Sequence, residues 1–132
     1  MIDFLRMRYL INKLPDILWD IEQKEANATR ITSNITGMPR GGGGLNQSEN
    51  AKLALIDAKD AYREALKELE EMRHELEQEL LKLEDENERA IMRMRYIYGY
   101  SPGTIAQTIS YHPRSVYRYL KSAERKLSES CQ

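Results

Sequence analysis

Leu55, Tyr62, Leu69, Leu76 and Leu83 recur at intervals of seven residues, and no other feature restricts the fold of this chain so tightly. Leu66 and Leu80 fall four residues after Tyr62 and Leu76, and Ala58, Ala65 and Met72 flank the seam. A seven-residue repeat keeps one stripe of a long helix turned toward a partner helix, so it predicts a coiled-coil-like helix over Glu49 to about Glu84. Lys59 and Arg73 interrupt the second position of the repeat. Ser48 is the predicted N-cap. Leu, Glu, Lys, Arg and Ala dominate and β-branched runs are short, so the predicted fold class is all-α. Between Asp57 and Glu88 thirteen acids face five cations, a net of −8. That pattern reads as a solvated helix face, and also as a rod that DNA would repel and that must project away from it.

Ahead of this helix, Met1 to about Leu14 reads as a short amphipathic helix capped by Asp3, with Leu5, Tyr9, Leu10 and Leu14 near one face. Pro15 is expected to break or kink it. A helical pattern resumes from Asp16 to about Ser33 through Ile17, Leu18, Ile21, Ala28 and Ile31. Gly41 to Gly44 then interrupt any regular element, which predicts a linker over 37–47. No Gly-Lys-Ser/Thr follows the glycines, which argues against a phosphate-cradling loop. A chain reversal there folds residues 1–84 into an N-terminal antiparallel helical hairpin or coiled coil. Its exposed side leaves open a homodimer through the helical rod.

The segment 85–132 reads as a separate three-helix unit. Asp85, with Glu88 three residues later, resembles a capping box. Gly99 is placed to end that helix in the left-handed conformation. Ser101 is a predicted N-cap and Pro102 suits a first helical turn before Ile105, Ala106 and Ile109. Ser110-Tyr111-His112 forms a break in which Ser110 or Tyr111 must take the bend, and Pro113 opens the last helix, striped by Val116, Leu120, Ala123 and Leu127. Two helices across a turn of this length, the second basic, predict a helix-turn-helix. The bland alternative is a helical hairpin that only packs. Charge favours the first reading, because Arg89 to Leu127 holds eight cations against Glu124 alone, a net of +7 in a chain of net −1.

Other functions find little support. Cys131 is the sole cysteine and His74 and His112 the only histidines, so no zinc-finger spacing exists. No nucleophile–base pair or phosphate loop stands out, so neither an enzyme nor a cofactor is expected. No apolar run approaches a membrane span, and Asp3, Arg6 and Arg8 interrupt any signal-peptide core, which predicts a cytoplasmic protein without membrane contact.

Asn87-Glu88-Arg89, Met92-Arg93-Met94-Arg95-Tyr96, Gly99-Tyr100-Ser101, Ile105-Ala106 and Val116, Ala123 and Leu127 together resemble region four of bacterial sigma factors. Nothing resembles sigma region two. The whole layout, with Ile31-Thr32-Ser33 and Met38-Pro39-Arg40-Gly41, is similar to small phage and prophage late-gene regulators of the autolysin-regulator and RinA type. The resemblance implies a transcription regulator that binds double-stranded DNA and contacts RNA polymerase. It places base-reading positions on Pro113, Arg114, Tyr117 and Arg118. Pro113 and Arg114 stand where the sigma pattern has Arg and Glu, so the sigma operator is not expected to carry over. Arg114, Tyr117 and Arg118 are then expected at base edges, and Ser101, Thr104, His112, Ser115, Lys121 and Arg125 at phosphates. Two other readings remain: a small-terminase-like DNA-packaging subunit, and an adaptor whose basic unit binds an acidic protein.

Overall fold

The computed structural model describes residues 2–35 and 43–130, with side chains described over 2–29 and 49–129. Among these residues every regular element is helical. They are α1 (Phe4–Ile35), α2 (Gly43–Leu80), α3 (Glu86–Met92) continued by a π-helical turn (Arg93–Ile97), α4 (Pro102–Ile109) and α5 (Pro113–Ser130). No helix among the described residues is long and apolar enough to cross a membrane. The chain divides into two compact units, one of Met1–Ile11 with Glu68–Gln132 and one of Asn12–Lys67.

The first unit holds most of the core. Phe4, Met7 and Leu10 of α1, Leu69, Leu76 and Leu80 of α2, and Leu83 just beyond it are buried there with Ile91, Met92, Tyr96, Ile105, Val116, Ala123 and Leu127. The heptad seam is thus buried where it crosses this unit, whereas Leu55, Tyr62 and Leu66 are half-buried. The face expected for the first helix is corrected: Leu5 and Tyr9 are exposed, and the buried stripe is Phe4–Met7–Leu10, spaced by three. That spacing fits a helix as well as the expected one, and Phe4 decides the choice by packing its ring 5.2 Å from that of Tyr96. Asp3 caps α1 as expected, its Oδ1 accepting the Arg6 amide at 3.0 Å.

Two boundaries differ from expectation. α1 runs through Pro15 without a break. The lost N–H removes one hydrogen bond, but buried residues on both sides, Met7 and Leu10 before it and Ile21 after, hold the helical register. α2 begins at Gly43, ahead of Ser48, so the expected N-cap lies inside the helix. The rest of the expected linker, Met38-Pro39-Arg40 included, lies outside the described residues, as does Cys131. The break between α2 and α3 is real. The Leu83 amide turns back to the Leu80 carbonyl at 3.1 Å, and Asp85 caps α3 by accepting the Asn87 amide at 2.8 Å. Glu88 does not complete a capping box. It is 3% exposed and accepts from Ser122 Oγ at 2.8 Å and Lys126 Nζ at 3.0 Å, tying α3 to α5.

The second unit is thinly covered. Ile21 is its one buried apolar side chain among the described residues, while Leu18, Trp19, Leu53 and Ile56 are exposed. Lys59 of α2 pairs with Glu25 of α1 at 3.3 Å, so the cation that interrupts the seam has an acid to meet.

Candidate nucleic-acid interface

The site is built on the turn between α4 and α5. Ser101 opens α4, its Oγ accepting the Thr104 amide at 3.2 Å, with the two hydroxyl oxygens 2.9 Å apart. Ser110 ends the helix at φ 57°, ψ 40°, so it is Ser110 that takes the left-handed bend. The Tyr111 amide then closes onto the Ala106 carbonyl at 2.9 Å. Tyr111 and Tyr119 flank the bend with ring centroids 6.2 Å apart. Asn87 bonds both hydroxyls, at 3.3 and 3.4 Å, and so ties the start of α3 to the turn.

His112 starts α5. Its carbonyl accepts the amides of Ser115 and Val116, and its Nδ1 accepts the Arg114 amide at 3.1 Å. That bond satisfies one of the amides a helix leaves unpaired at its N-terminus. His112 was expected to face phosphate; the structure gives it a capping role, with the ring still exposed.

Two stripes divide α5. Val116, Leu120, Ala123 and Leu127, spaced four, three and four, are buried. Arg114, Arg118, Lys121 and Arg125 repeat the same spacing half a turn away and are exposed, with Tyr117 beside them at 60% exposure. None of these four cations has a carboxylate partner among the described residues. The remaining basic residues of the segment are engaged. Arg89 donates to the Leu83 carbonyl, Arg93 pairs with Glu77 at 3.2 Å, Lys126 with Glu88, and Arg95 donates to the Tyr100 carbonyl at 3.2 Å. The sequence count of +7 therefore overstates what faces outward.

Three open hollows line this face. His112, Arg114, Ser115 and Arg118 surround one of about 310 Å³. Arg118, Lys121, Ser122 and Arg125 surround the next, of about 600 Å³. The third, about 500 Å³, has Tyr117 and Lys121 on its wall together with Arg8, Arg95, Tyr96 and Glu124. Pro102 also borders it, which brings the Ser101–Thr104 start of α4 to its edge. Pro113 is exposed at the first position of α5.

Sequence reasoning missed Arg8. Its Nη1 donates to the Tyr96 hydroxyl at 2.8 Å and to Glu124 Oε1 at 3.0 Å, while the Tyr96 hydroxyl donates to the same carboxylate oxygen. Burial, and then the bond to Glu124, push the Tyr96 hydroxyl well above the ordinary phenol range. Burial alone would lower the Arg8 value; the bond to Tyr96 and the field of Glu124 outweigh it, so that value rises. No local motif marks a contact between residues so far apart in sequence.

Residues 30–128 match the model of a family described as a protein of unknown function, DUF1492. The chain belongs to this family. No curated protein and no solved structure matches it. The DUF1492 match takes in α3, α4 and α5 and hence the exposed stripe, whereas Arg8 lies ahead of it. Among the described residues of this DUF1492 chain no group of His, Cys, Asp and Glu is arranged to hold a metal ion.

Proposed function

We propose that the chain is a sequence-specific regulator of transcription that binds double-stranded DNA, without catalytic activity of its own. In this reading α4, the Ser110–His112 turn and α5 form a helix-turn-helix, and α5 enters the major groove. The observation that carries it is the row Arg114, Arg118, Lys121 and Arg125, exposed on one side of α5 without acidic partners among the described residues. Unpaired cations in a row along a helix match a phosphate-lined groove. Arg114, Tyr117 and Arg118, nearest the start of the helix, read bases, and Lys121 and Arg125 hold phosphates. The resemblance to sigma region four and to phage late regulators supports a role on phage genes beside RNA polymerase.

The deciding experiment is selection of bound DNA from a random pool, followed by titration at several salt concentrations. We expect an enriched motif and an affinity that falls with salt, with a log–log slope of about −0.9 per phosphate contacted. An unenriched pool with salt-insensitive binding would reject the reading and favour an adaptor for protein.

We read the Asn12–Lys67 unit as an antiparallel helical hairpin that also pairs two molecules. The Glu25–Lys59 bridge supports the first part, and the exposed Leu18, Trp19, Leu53 and Ile56 support the second. Sedimentation should then show dimers, with operators built of two half-sites about 10 bp apart. Monomers alone at high concentration, with and without DNA, would remove the pairing.

A further inference from the structure

Glu124 stands at the wrong place for a DNA interface. It is on α5 one turn from Lys121, and it is the only carboxylate on the wall of the hollow that Tyr117, Lys121 and Arg95 share. An uncompensated carboxylate there would repel the backbone that the neighbouring cations attract. Arg8 meets it at 3.0 Å, arriving from α1, more than a hundred residues away in sequence. Tyr96, buried between them, accepts from one and donates to the other, which fixes both side chains in place. The charges cancel, and the wall is left with Arg95 and Lys121 as its net charge.

We infer that Arg8 is a positioning residue of the nucleic-acid interface: by pairing with Glu124 it removes the one negative charge beside Tyr117 and Lys121, so that a DNA backbone phosphate can approach there. The inference rests on the DNA-binding reading and deepens it. It makes the first turns of α1, which precede the segment matched by the DUF1492 model, part of the DNA-binding unit.

The test compares Arg8→Gln, Glu124→Gln and the double variant in the full chain, using the selected DNA and a scrambled one at two salt concentrations. Arg8→Gln exposes the carboxylate and should weaken binding to both DNAs by a factor of about five, the effect of one unit charge near a phosphate at high effective dielectric. Glu124→Gln, which keeps both hydrogen bonds, should tighten binding by a similar factor. The double variant should return to about the wild-type affinity. A role in folding alone would not produce opposite signs in the singles or recovery in the double. A folded Arg8→Gln that binds like wild type overturns the inference. So does a double variant as weak as Arg8→Gln, because Arg8 would then touch DNA itself or serve only the fold. Should Arg8→Gln fail to fold, Glu124→Gln decides alone: tighter binding upholds the inference, and equal or weaker binding overturns it. Those outcomes leave the DNA-binding reading intact. Failure of the wild-type chain to bind any DNA at low salt overturns that reading and the inference together.

Discussion

At the scale of residues, two arginines on the same stripe should behave differently. Arg114 is in the first turn of α5, where the proposed major-groove docking would bring its side chain to base edges, and a bidentate arginine–guanine pair contributes about 1–3 kcal/mol of discrimination. Arg125 lies three turns further on, where the same docking would leave only phosphate in reach. Arg114→Ala should therefore lower the ratio of selected to scrambled binding. Arg125→Ala should weaken both equally and reduce the salt slope by about one. Equal losses for Arg114→Ala on both DNAs would show that α5 does not read sequence. Tyr96 supplies a prediction about pH. Its hydroxyl is held above the ordinary phenol range by burial and by the Glu124 bond, so the fold favours the neutral form. The stability it adds is complete below the unfolded value near 10 and is lost as pH rises toward the folded one. Denaturant titrations between pH 9 and 12 should show a decline for wild type that is shallower in Tyr96→Phe, on the order of one proton per molecule. Parallel curves would mean that the Tyr96 hydroxyl is not protected.

At the scale of elements, the termini of the helices carry much of the specification. Gly99 follows the π-helical turn at φ 77°, and the Tyr100 amide closes onto the Met94 carbonyl at 2.9 Å, one residue further back than a Schellman bond reaches, in keeping with the wider π-helical last turn. A Cβ on Gly99 would meet its nearest atoms at 3.7 Å, so Gly99→Ala is penalised by the backbone and not by crowding. Its loss in stability should be about 1 kcal/mol. Ser110 occupies the same left-handed region at φ 57°, and its exposed side chain makes no hydrogen bond to the other described residues, so Ser110→Gly should stabilise by up to about 1 kcal/mol. Thermal melting of both variants checks the pair, and a destabilised Ser110→Gly would contradict the account of the turn. These ends were legible in the sequence because caps and glycines act locally: Asp3, Asp85, Gly99, Ser101 and Pro113 all stand where their chemistry placed them. The π-helical turn was not. It is held by Arg73, whose Nε donates to the Tyr96 carbonyl at 2.7 Å, and in the sequence Arg73 looked only like a flaw in the heptad seam. Glu88 was misread for the same reason, since its partners Ser122 and Lys126 are far off in sequence.

At the scale of the molecule, the distribution of charge was legible and the distribution of core was not. The basic row of α5 that the sequence marks is exposed, although four of the eight cations counted over 89–127 are engaged within the fold. Periodicity, however, shows only that a helix has an apolar face, never which other helix covers it. Residues 85–132 look self-sufficient in the sequence, with three amphipathic helices and their own caps. In the structure their core is completed by Phe4, Met7 and Leu10 from α1 and by Leu69, Leu76, Leu80 and Leu83 from α2 and its end, all buried. Burying one such side chain contributes about 1.5–3 kcal/mol, so those seven account for roughly 10–20 kcal/mol of gross burial, against a net stability of about 5–15 kcal/mol for a whole domain. A fragment of residues 85–132 should therefore lack a cooperative thermal transition that the full chain shows. It should also bind DNA weakly even though it carries every cation of the α5 stripe. Met7→Ala in the full chain tests the same dependence with one substitution. Met7 is fully buried in the first unit, and its truncation should lower stability by about 2–5 kcal/mol. A sharp melt of the fragment, with an unperturbed Met7→Ala, would show that α3, α4 and α5 stand alone and that the first turns of α1 merely lie against them.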